Sequence, residues 1–251
     1  MIKKVILIGM GPGDVKYLTL EAVDTIKRLD VFLIPGKKDQ KRELTQIRKE
    51  ILSKVKGNAE YRVIEVNFPE RKKGVRYEET VEEWRKKKQD MLKELILKED
   101  AEVAGFLIWG DPSIYDGHIA IFQGLKEEVG VEFEVVPGIS SYQLLSAKHK
   151  VPFTDVAGNL IFTTPRGLKK QDKVSENTVV FLDNYETYTR INDQGIEIYW
   201  GAYLGTKDEV ILSGKLSEVK EKIRDLRRRL RKEKGWIMEL YFLKVNKDEK
   251  D

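Results

Sequence analysis

The chain has 251 residues, of which 41% are hydrophobic and 35% charged, a composition typical of a soluble globular protein with one large domain or two smaller ones. Its 46 Lys and Arg nearly balance its 42 Asp and Glu, and the net charge of +4 is too small to indicate nucleic-acid binding. Cysteine is absent, which excludes disulfides and a thiol nucleophile, and the two histidines, His118 and His149, lack the spacing of metal ligands.

Neither a signal peptide nor an apolar stretch of about 20 residues, the length of a membrane span, is present. We therefore expect a cytoplasmic protein without membrane association. The charged stretches "EEWRKKKQD" and "RDLRRRLRKEKG" carry no aromatic residue placed to stack on bases, apart from Trp84. They predict solvated helix faces rather than a nucleic-acid surface.

Strands and helices alternate through the first half of the chain. Short apolar runs that end at glycine or proline predict strands, and apolar residues at helical spacing predict helices. The predicted strands are 4–9 ("KVILIG"), 30–35, 61–66, 103–110 and 132–138, and the predicted helices are 20–29, 41–56, 77–98 and 114–128. Thr19 is a plausible N-cap for the first helix. The alternation predicts a mostly parallel sheet.

The second half has a different pattern. Five strand candidates, "NLIFTTP", "NTVVFLDN", "IEIYWGAYLG", "EVILSGKL" and "WIMELYFLKV", follow one another, and the only strong helix signal lies at 215–232. We therefore predict an α/β fold with two domains, an N-terminal α/β domain at 1–137 and a C-terminal α+β domain at 138–251.

The glycine-rich stretch "GMGPGD" (9–14) follows the first predicted strand, as a dinucleotide-binding turn would. The fingerprint G-x-G-x-x-G needs a third glycine where Asp14 stands, and Pro12 lacks the N–H that a pyrophosphate would use. No Gly-Lys-Ser/Thr follows, which excludes a P-loop. These departures argue against a nicotinamide-dependent oxidoreductase, and the loop alone is also compatible with a simple tight turn.

Three later loops also follow apolar strands. They contain Gly110-Asp111-Pro112, Pro137-Gly138 with Ser140 and Ser141, and Gly205-Thr206. Ligands of open α/β sheets bind beyond the carboxyl ends of the strands, so the set predicts a cleft shared by both domains. Taken singly, each loop also fits an interpretation in which the glycines form turns and the Asp and Ser side chains cap helices.

In chain order, "GMGPGD", "LTLEAVDTIKRLDVFL", "GDPSIY", "PGISS" and the later "GT" resemble the tetrapyrrole methylase family, the S-adenosylmethionine-dependent methyltransferases of corrin and siroheme synthesis. The resemblance covers nearly the whole chain. It implies two α/β domains with the active-site cleft between them, S-adenosylmethionine as the cofactor, a small tetrapyrrole as the substrate, and a homodimer.

The stretches "FLIWGDPSIYD" and "AKHKVPF" are similar to a subgroup that methylates C-1 of a corrin precursor and releases acetate. Another corrin intermediate, or a protein side chain as in the related diphthine synthases, is the alternative substrate. A binding module without turnover is the alternative outside enzymes. Pro35 stands where relatives acting on the earliest macrocycle often have an aspartate proposed as a base, which argues against that early step.

The resemblance also implies which positions contact the cofactor. These are Pro12, Gly110, Asp111, Ile114, Ser140, Ser141, Asp183, Gly205 and Thr206. Asp183 departs from the family, which commonly has methionine there, so its side chain need not touch the cofactor as methionine does.

The first glycine loop is predicted to face the macrocycle through Gly9, Gly11, Gly13 and Asp14. Small side chains let a flat ring lie against the backbone, and exposed N–H groups can meet its carboxylates. Arg166 in "TTPRGL" is a candidate carboxylate clamp, or alternatively an ordinary surface arginine.

Methyl transfer depends mostly on positioning, so it needs no strong base and no metal site is expected. Acetate release needs proton transfer, for which Tyr115 and His149 are the catalytic candidates, with Asp116 beside them. The structural alternatives are that Tyr115 packs, Asp116 caps and His149 is solvated.

Overall fold

The computed structural model describes residues 1–36, 42–70, 77–171, 173–192 and 195–246. The chain divides into two compact units, Met1–Ser140 and Ser141–Asp251, so the division falls three residues after the boundary predicted at 137. Across the described ranges, no helix combines the length and the apolar character needed to cross a membrane.

The first unit is built on a five-stranded, wholly parallel sheet in the order β3-β2-β4-β1-β5. Its strands are β1 (Lys4–Gly9), β2 (Val31–Pro35), β3 (Arg62–Val66), β4 (Val103–Ile108) and β5 (Glu132–Val136). Its helices are α1 (Leu20–Arg28), α2 (Arg42–Lys56), α3 (Tyr77–Lys98) and α4 (His118–Val129). The predicted alternation and parallel sheet are confirmed.

Helices cover both faces of this sheet, which is why its central strands are continuously apolar. Val5 and Leu7 of β1 pack in one core with apolar residues of α3 and α4, whereas Ile6 and Ile8 pack in a second core with residues of α1 and α2. Strand side chains alternate between the two faces, so one strand supplies both cores.

Two helix starts illustrate how local chemistry sets the boundaries. Thr19 caps α1, as predicted, because its hydroxyl accepts a hydrogen bond from the N–H of Ala22. The predicted start of α4 at 114 is wrong. Gly117 has a left-handed φ of 88°, which breaks the helical path, and α4 begins only at His118.

The middle of the sheet contains a reversal of strand order. The chain leaves β1 through α1 toward β2 on one side, and leaves the adjacent β4 through α4 toward β5 on the other side. The loops after β1 and β4 therefore diverge at a topological switch point, where open α/β sheets bind their ligands.

The second unit has a five-stranded mixed sheet in the order β6-β7-β10-β8-β9, in which only β6 and β7 pair in parallel. Its strands are β6 (Leu160–Thr163), β7 (Asn177–Phe181), β8 (Ile196–Ala202), β9 (Val210–Lys215) and β10 (Glu239–Val245). Its helices are α5 (Ser141–His149), α6 (Pro165–Lys169) and α7 (Leu216–Lys234). All five predicted strands are present.

The prediction of a single strong helix in this half missed α5. Its fully buried apolar residues, Leu144 and Leu145, are neighbours in sequence and do not recur at helical spacing. By contrast, α7 buries Val219, Ile223 and Leu230 along one stripe, which made it readable from the sequence.

Candidate functional site

The loops after β1 and β4 touch each other through glycine backbone at the switch point. The N–H of Gly11 donates to the carbonyl of Gly110 at 3.2 Å, and the N–H of Gly110 donates back to Gly11 at 2.9 Å. Both residues have positive φ, 70° and 69°, which a side chain would disfavour. The pair therefore fixes the two loops relative to each other.

The loop after β5 joins them by close packing. A β carbon added to Gly9 would lie 2.5 Å from the N atom of Gly138, and one added to Gly138 would collide with the carbonyl oxygen of Gly110. Both glycines are thus explained by backbone approach within the protein. The predicted contacts of Gly9 with a macrocycle stay a prediction.

Asp111 ties the same loops together by hydrogen bonds. One carboxylate oxygen accepts the N–H of Gly138 at 2.8 Å, and the other accepts the N–H of Ser113 at 2.8 Å and the Ser113 hydroxyl. The carboxylate of Asp111 thus binds loop amides, and its predicted contact with the cofactor stays a prediction. A carboxylate accepting several N–H groups organises the loop around it.

The glycines differ in the space beside them. A β carbon on Gly110 would meet nothing closer than Ser140 Cα at 3.9 Å, in contrast to the crowded Gly9 and Gly138. Pro12 lies in the loop after β1 and Ser140 in the loop after β5, and both residues are buried. The N–H of Ile114 donates to the carbonyl oxygen of Asp111 at 3.3 Å. Open room against rigid backbone is a suitable setting for a ligand.

Asp14 closes the first glycine loop. Its side chain accepts a hydrogen bond from the N–H of Lys16 at 3.0 Å and caps a short 3₁₀ helix at Val15–Tyr17. Its other oxygen lies 3.7 Å from the Lys16 ammonium. Gly13 next to it has a φ of 122°. Asp14 therefore has a structural role, and its predicted contact with substrate stays a prediction.

Tyr115 and Asp116 lie in the loop between β4 and α4. Tyr115 is half exposed, with a left-handed φ of 52° that is uncommon for an aromatic residue, and partial burial raises the pKa of its hydroxyl. One oxygen of Asp116 accepts the N–H of His118 at 3.0 Å and contacts His118 Nδ1 at 2.5 Å.

His118 is 4% exposed, and the centre of its ring lies 4.7 Å from that of Phe106. Burial lowers its pKa, and Asp116 only partly opposes this, so the ring is neutral with Nδ1 donating to the carboxylate. Nε2 is buried and has no hydrogen-bond partner within the described part of the chain. Burial alone would raise the pKa of Asp116, but the bond to His118 holds it below its ordinary value.

Two buried cations near this pair were missed by the sequence analysis. Arg48 donates to the carbonyls of Leu107 at 3.3 Å and Leu44 at 2.9 Å, and burial lowers its pKa to about 10. Lys88 lies over the ring of Trp84 at 4.0 Å. Both residues lie at helical spacing from apolar neighbours, Arg48 between Leu44 and Leu52 and Lys88 between Trp84 and Leu92. That spacing is a signal that could have identified them as buried.

In the second unit, the predicted cofactor residues Gly205 and Thr206 form a tight turn. The N–H of Gly205 donates to Glu209 at 2.9 Å, and the hydroxyl of Thr206 donates to the carbonyl of Tyr203 at 2.8 Å. Glu209 also pairs with Lys148 of α5 at 2.6 Å. The turn is thereby joined to the end of the helix that begins at Ser141.

His149, at the end of α5, contacts the carbonyl oxygen of Trp200 through Nε2 at 3.0 Å. A carbonyl only accepts, so the hydrogen is on Nε2 and the lone pair of the neutral ring is on Nδ1. Burial lowers the pKa of His149, although the bond to Trp200 opposes this. The half-buried ring is therefore a neutral imidazole with one nitrogen able to accept a proton.

Asp183 is 1% exposed and its carboxylate is fully engaged. It accepts hydrogen bonds from Tyr185 N at 2.9 Å, Thr187 N at 2.7 Å, Thr187 Oγ1 at 3.2 Å and Tyr241 Oη at 2.7 Å. Any cofactor contact at this position would come from backbone. Arg166 lies exposed on α6, compatible with both of its predicted roles.

Comparison with known proteins supplies the family. The model of the Tetrapyrrole (Corrin/Porphyrin) Methylases matches residues 4–220. A curated relative, the Precorrin-6A synthase [deacetylating] of a Sinorhizobium species, is 36% identical over 98% of this chain and 97% of its own length.

Solved structures agree on the fold. A cobalamin synthesis related protein, CobF, of Corynebacterium diphtheriae superposes with a TM-score of 0.80 at 27% identity, covering 98% of this chain and 99% of that one. A uroporphyrin-III C-methyl transferase of Thermus thermophilus, complexed with S-adenyl homocysteine, has a TM-score of 0.58 at 21% identity, with 96% of each chain covered.

Proposed function

Because the chain belongs to the tetrapyrrole (corrin/porphyrin) methylases, we propose that it is an S-adenosylmethionine-dependent C-methyltransferase of corrin biosynthesis, a precorrin-6A synthase. The observation that carries this proposal is the 36% identity to a deacetylating precorrin-6A synthase over nearly the full length of both chains. The reaction is methylation of precorrin-5 at C-1 with loss of acetate.

The loops at the switch point support a cofactor site in the first unit. Gly110 offers open space beside rigid backbone, and Asp111 holds its loop against the loop that leads to Ser140. We assign cofactor binding to this group, with Pro12 and Ile114 as apolar walls. Ser141, the backbone at Asp183, Gly205 and Thr206 are assigned the remaining contacts.

S-adenosylmethionine, when bound, supplies an activated methyl group for an in-line displacement by an electron-rich carbon of the substrate. The residues of this chain then have to orient and dehydrate the reactants rather than activate a nucleophile. The paired backbone hydrogen bonds between Gly11 and Gly110 suit that task, because they fix the two loops relative to each other.

Acetate release adds one water and needs a group that accepts and returns a proton. His149 is suited to this role because its neutral ring has a lone pair on Nδ1. The raised pKa of Tyr115 keeps its hydroxyl protonated and able to donate a hydrogen bond. We propose these two for proton handling, and Arg166 with the first glycine loop for the macrocycle and its carboxylates.

The proposal includes a cytoplasmic location and a homodimer. Light scattering of the purified protein would test the homodimer. The proposed domains are the N-terminal α/β domain at 1–137 and the C-terminal α+β domain at 138–251.

The decisive experiment incubates the enzyme with precorrin-5 and S-adenosylmethionine and analyses the products by mass spectrometry, with acetate quantified separately. Gain of one methyl group with equimolar acetate is expected. Methylation of the macrocycle without acetate would instead indicate a different corrin methylase.

Calorimetry with S-adenosylhomocysteine separates binding from turnover. We expect binding at one site per chain in the absence of a macrocycle. A protein that binds neither this ligand nor S-adenosylmethionine would contradict the proposed activity altogether.

A further inference from the structure

The loop that follows β7, Leu182–Glu186, has a strained backbone. Leu182 has a φ of 59° and Glu186 a φ of 53°, both in the left-handed region that residues with side chains rarely adopt. Such conformations persist only where surrounding contacts hold them, and they concentrate at functional sites. Contacts from other elements of the unit must therefore hold this loop.

Arg227 of α7 holds both ends of the strained segment. Its Nη2 donates to the carbonyl oxygen of Asp183 at 2.9 Å, and its Nη1 donates to the carboxylate of Glu186 at 3.1 Å. The third arm, Nε, donates to Glu239 of β10 at 2.5 Å. Arg227 is 3% exposed. Its guanidinium is fixed in orientation because it donates to three acceptors.

The acceptors are fixed in turn. Glu239 also accepts the indole N–H of Trp200 at 2.9 Å, and Asp183 accepts the hydroxyl of Tyr241 at 2.7 Å. The loop is thus connected by buried hydrogen bonds to β8, β10 and α7. A network satisfied at this many points makes its members rigid.

The held loop exposes apolar side chains. Leu182 is 57% exposed and Tyr185 is 58% exposed, with the Lys169 ammonium 4.4 Å from the centre of the Tyr185 ring. A strained backbone and a buried cation are both costly, and here they maintain an exposed apolar surface. That combination indicates that the surface contacts a ligand.

We propose that Arg227 is a positioning residue for cofactor binding, which holds the loop Leu182–Glu186 so that its backbone and Leu182 meet S-adenosylmethionine. The inference rests on the proposed function, which assigns the backbone at Asp183 to the cofactor. Arg227 acts through the loop and touches neither cofactor nor substrate.

The test compares Arg227→Lys with Arg229→Lys, a matched change on the exposed face of the same helix, where Arg229 pairs with Glu233 at 3.9 Å. Lysine keeps the charge but cannot reach three acceptors at once. We expect the calorimetric Kd for S-adenosylhomocysteine to rise about tenfold or more in R227K, since small displacements of a positioned group have large effects. R229K should bind as the unaltered enzyme does.

A readout that a purely structural role would not move comes from pairing R227K with Leu182→Ala. If the arginine acts through the loop, the loss of affinity caused by L182A shrinks in the R227K background, whereas the two shifts in Tm add. In turnover, KM for S-adenosylmethionine should rise in R227K with kcat at saturation little changed.

Tyr241→Phe provides a second variant that keeps the core volume if R227K does not fold. It removes one hydrogen bond to Asp183, and a smaller rise in Kd is expected. Unchanged Kd in folded R227K and Y241F, with only Tm lowered, would overturn the positioning role. Failure of the unaltered enzyme to bind S-adenosylhomocysteine would instead overturn the proposed function.

Discussion

The packed glycines Gly9, Gly110 and Gly138 of the first unit and the Arg227 network of the second hold loops at strand ends by opposite means. At Gly9, Gly110 and Gly138 the backbones approach so closely that two of the three positions have no room for a β carbon. Around Arg227, a buried cation is held by Glu239, Glu186 and a carbonyl. Gly9 and Gly138 cannot accept an added β carbon, and the Arg227 network cannot lose a partner without leaving a buried charge unpaired.

The largest effect should come from breaking the charged network. Arg227→Met leaves Glu239 buried without its cation, which should lower the free energy of unfolding by about 4 kcal/mol, as expected when one member of a buried ion pair is removed. Urea unfolding followed by circular dichroism measures it.

The matched variant is the double change Arg227→Met with Glu239→Met, which removes both charges and should recover much of the loss. Equal destabilisation in the single and double variants would show that lost packing and the unpaired indole N–H of Trp200, rather than the unpaired charge, dominate this region.

Gly138→Ala tests the close approach of the glycine backbones. The new β carbon would lie 2.8 Å from Gly9 Cα and collide with the carbonyl of Gly110, both backbone groups that cannot rotate away. A loss of about 3 kcal/mol in the free energy of unfolding is expected, at the upper end of the range for overpacking.

Gly110→Ala is its control for stability. This position has positive φ, unlike Gly138, but a β carbon would meet only Ser140 Cα at 3.9 Å. Its cost should be about 1 kcal/mol, that of a left-handed alanine alone. Similar losses at both positions would refute the importance of close approach.

Asp111→Ala removes the polar link between the loops after β4 and β5. The N–H groups of Gly138 and Ser113 lose their acceptor, and a loss of about 2 kcal/mol follows from leaving such donors unpaired. Binding of S-adenosylhomocysteine should weaken with it.

Asp14→Ala is the comparison for that carboxylate. It removes a single cap on a short helix, for which about 1 kcal/mol is typical. If the two alanine variants unfold alike, Asp111 is an ordinary cap and does not organise the switch point.

The smallest effect concerns pH and the buried His118. Burial lowers its folded-state pKa, so as pH falls below about 6.5 the unfolded chain takes up a proton before the folded one does, and stability declines. The phenylalanine of His118→Phe cannot titrate. Lowering the pH from 7.5 to 5.5 should therefore lower the unfolding free energy of the unaltered protein more than that of this variant.

His149→Gln should show the same sign with a smaller slope, because His149 is only half-buried. A difference between the unaltered protein and the His118→Phe variant that does not vary with pH would contradict a neutral, buried His118.

Prediction from the sequence succeeded where a residue's role depends on its neighbours along the chain. The strands of both sheets and the cap at Thr19 follow from periodicity and local hydrogen bonding. Helix α5 was missed because its buried pair, Leu144 and Leu145, carries no helical period. Arg227 occupies an apolar-stripe position between Ile223 and Leu230 of α7, a signal that could have identified it as buried.

The sequence by itself determined the parallel α/β architecture of the first half, the five strands of the second and the resemblance to the tetrapyrrole methylases, because these depend on local pattern and on motif order. Tertiary structure alone decided that Gly9 and Gly138 must both be glycine because their backbones approach each other, that Asp111 binds the neighbouring loop, and that Arg227 holds Asp183. These contacts join residues 27 to 129 positions apart, so no local pattern records them. Only the packed chain shows which backbone or charge each of these residues meets.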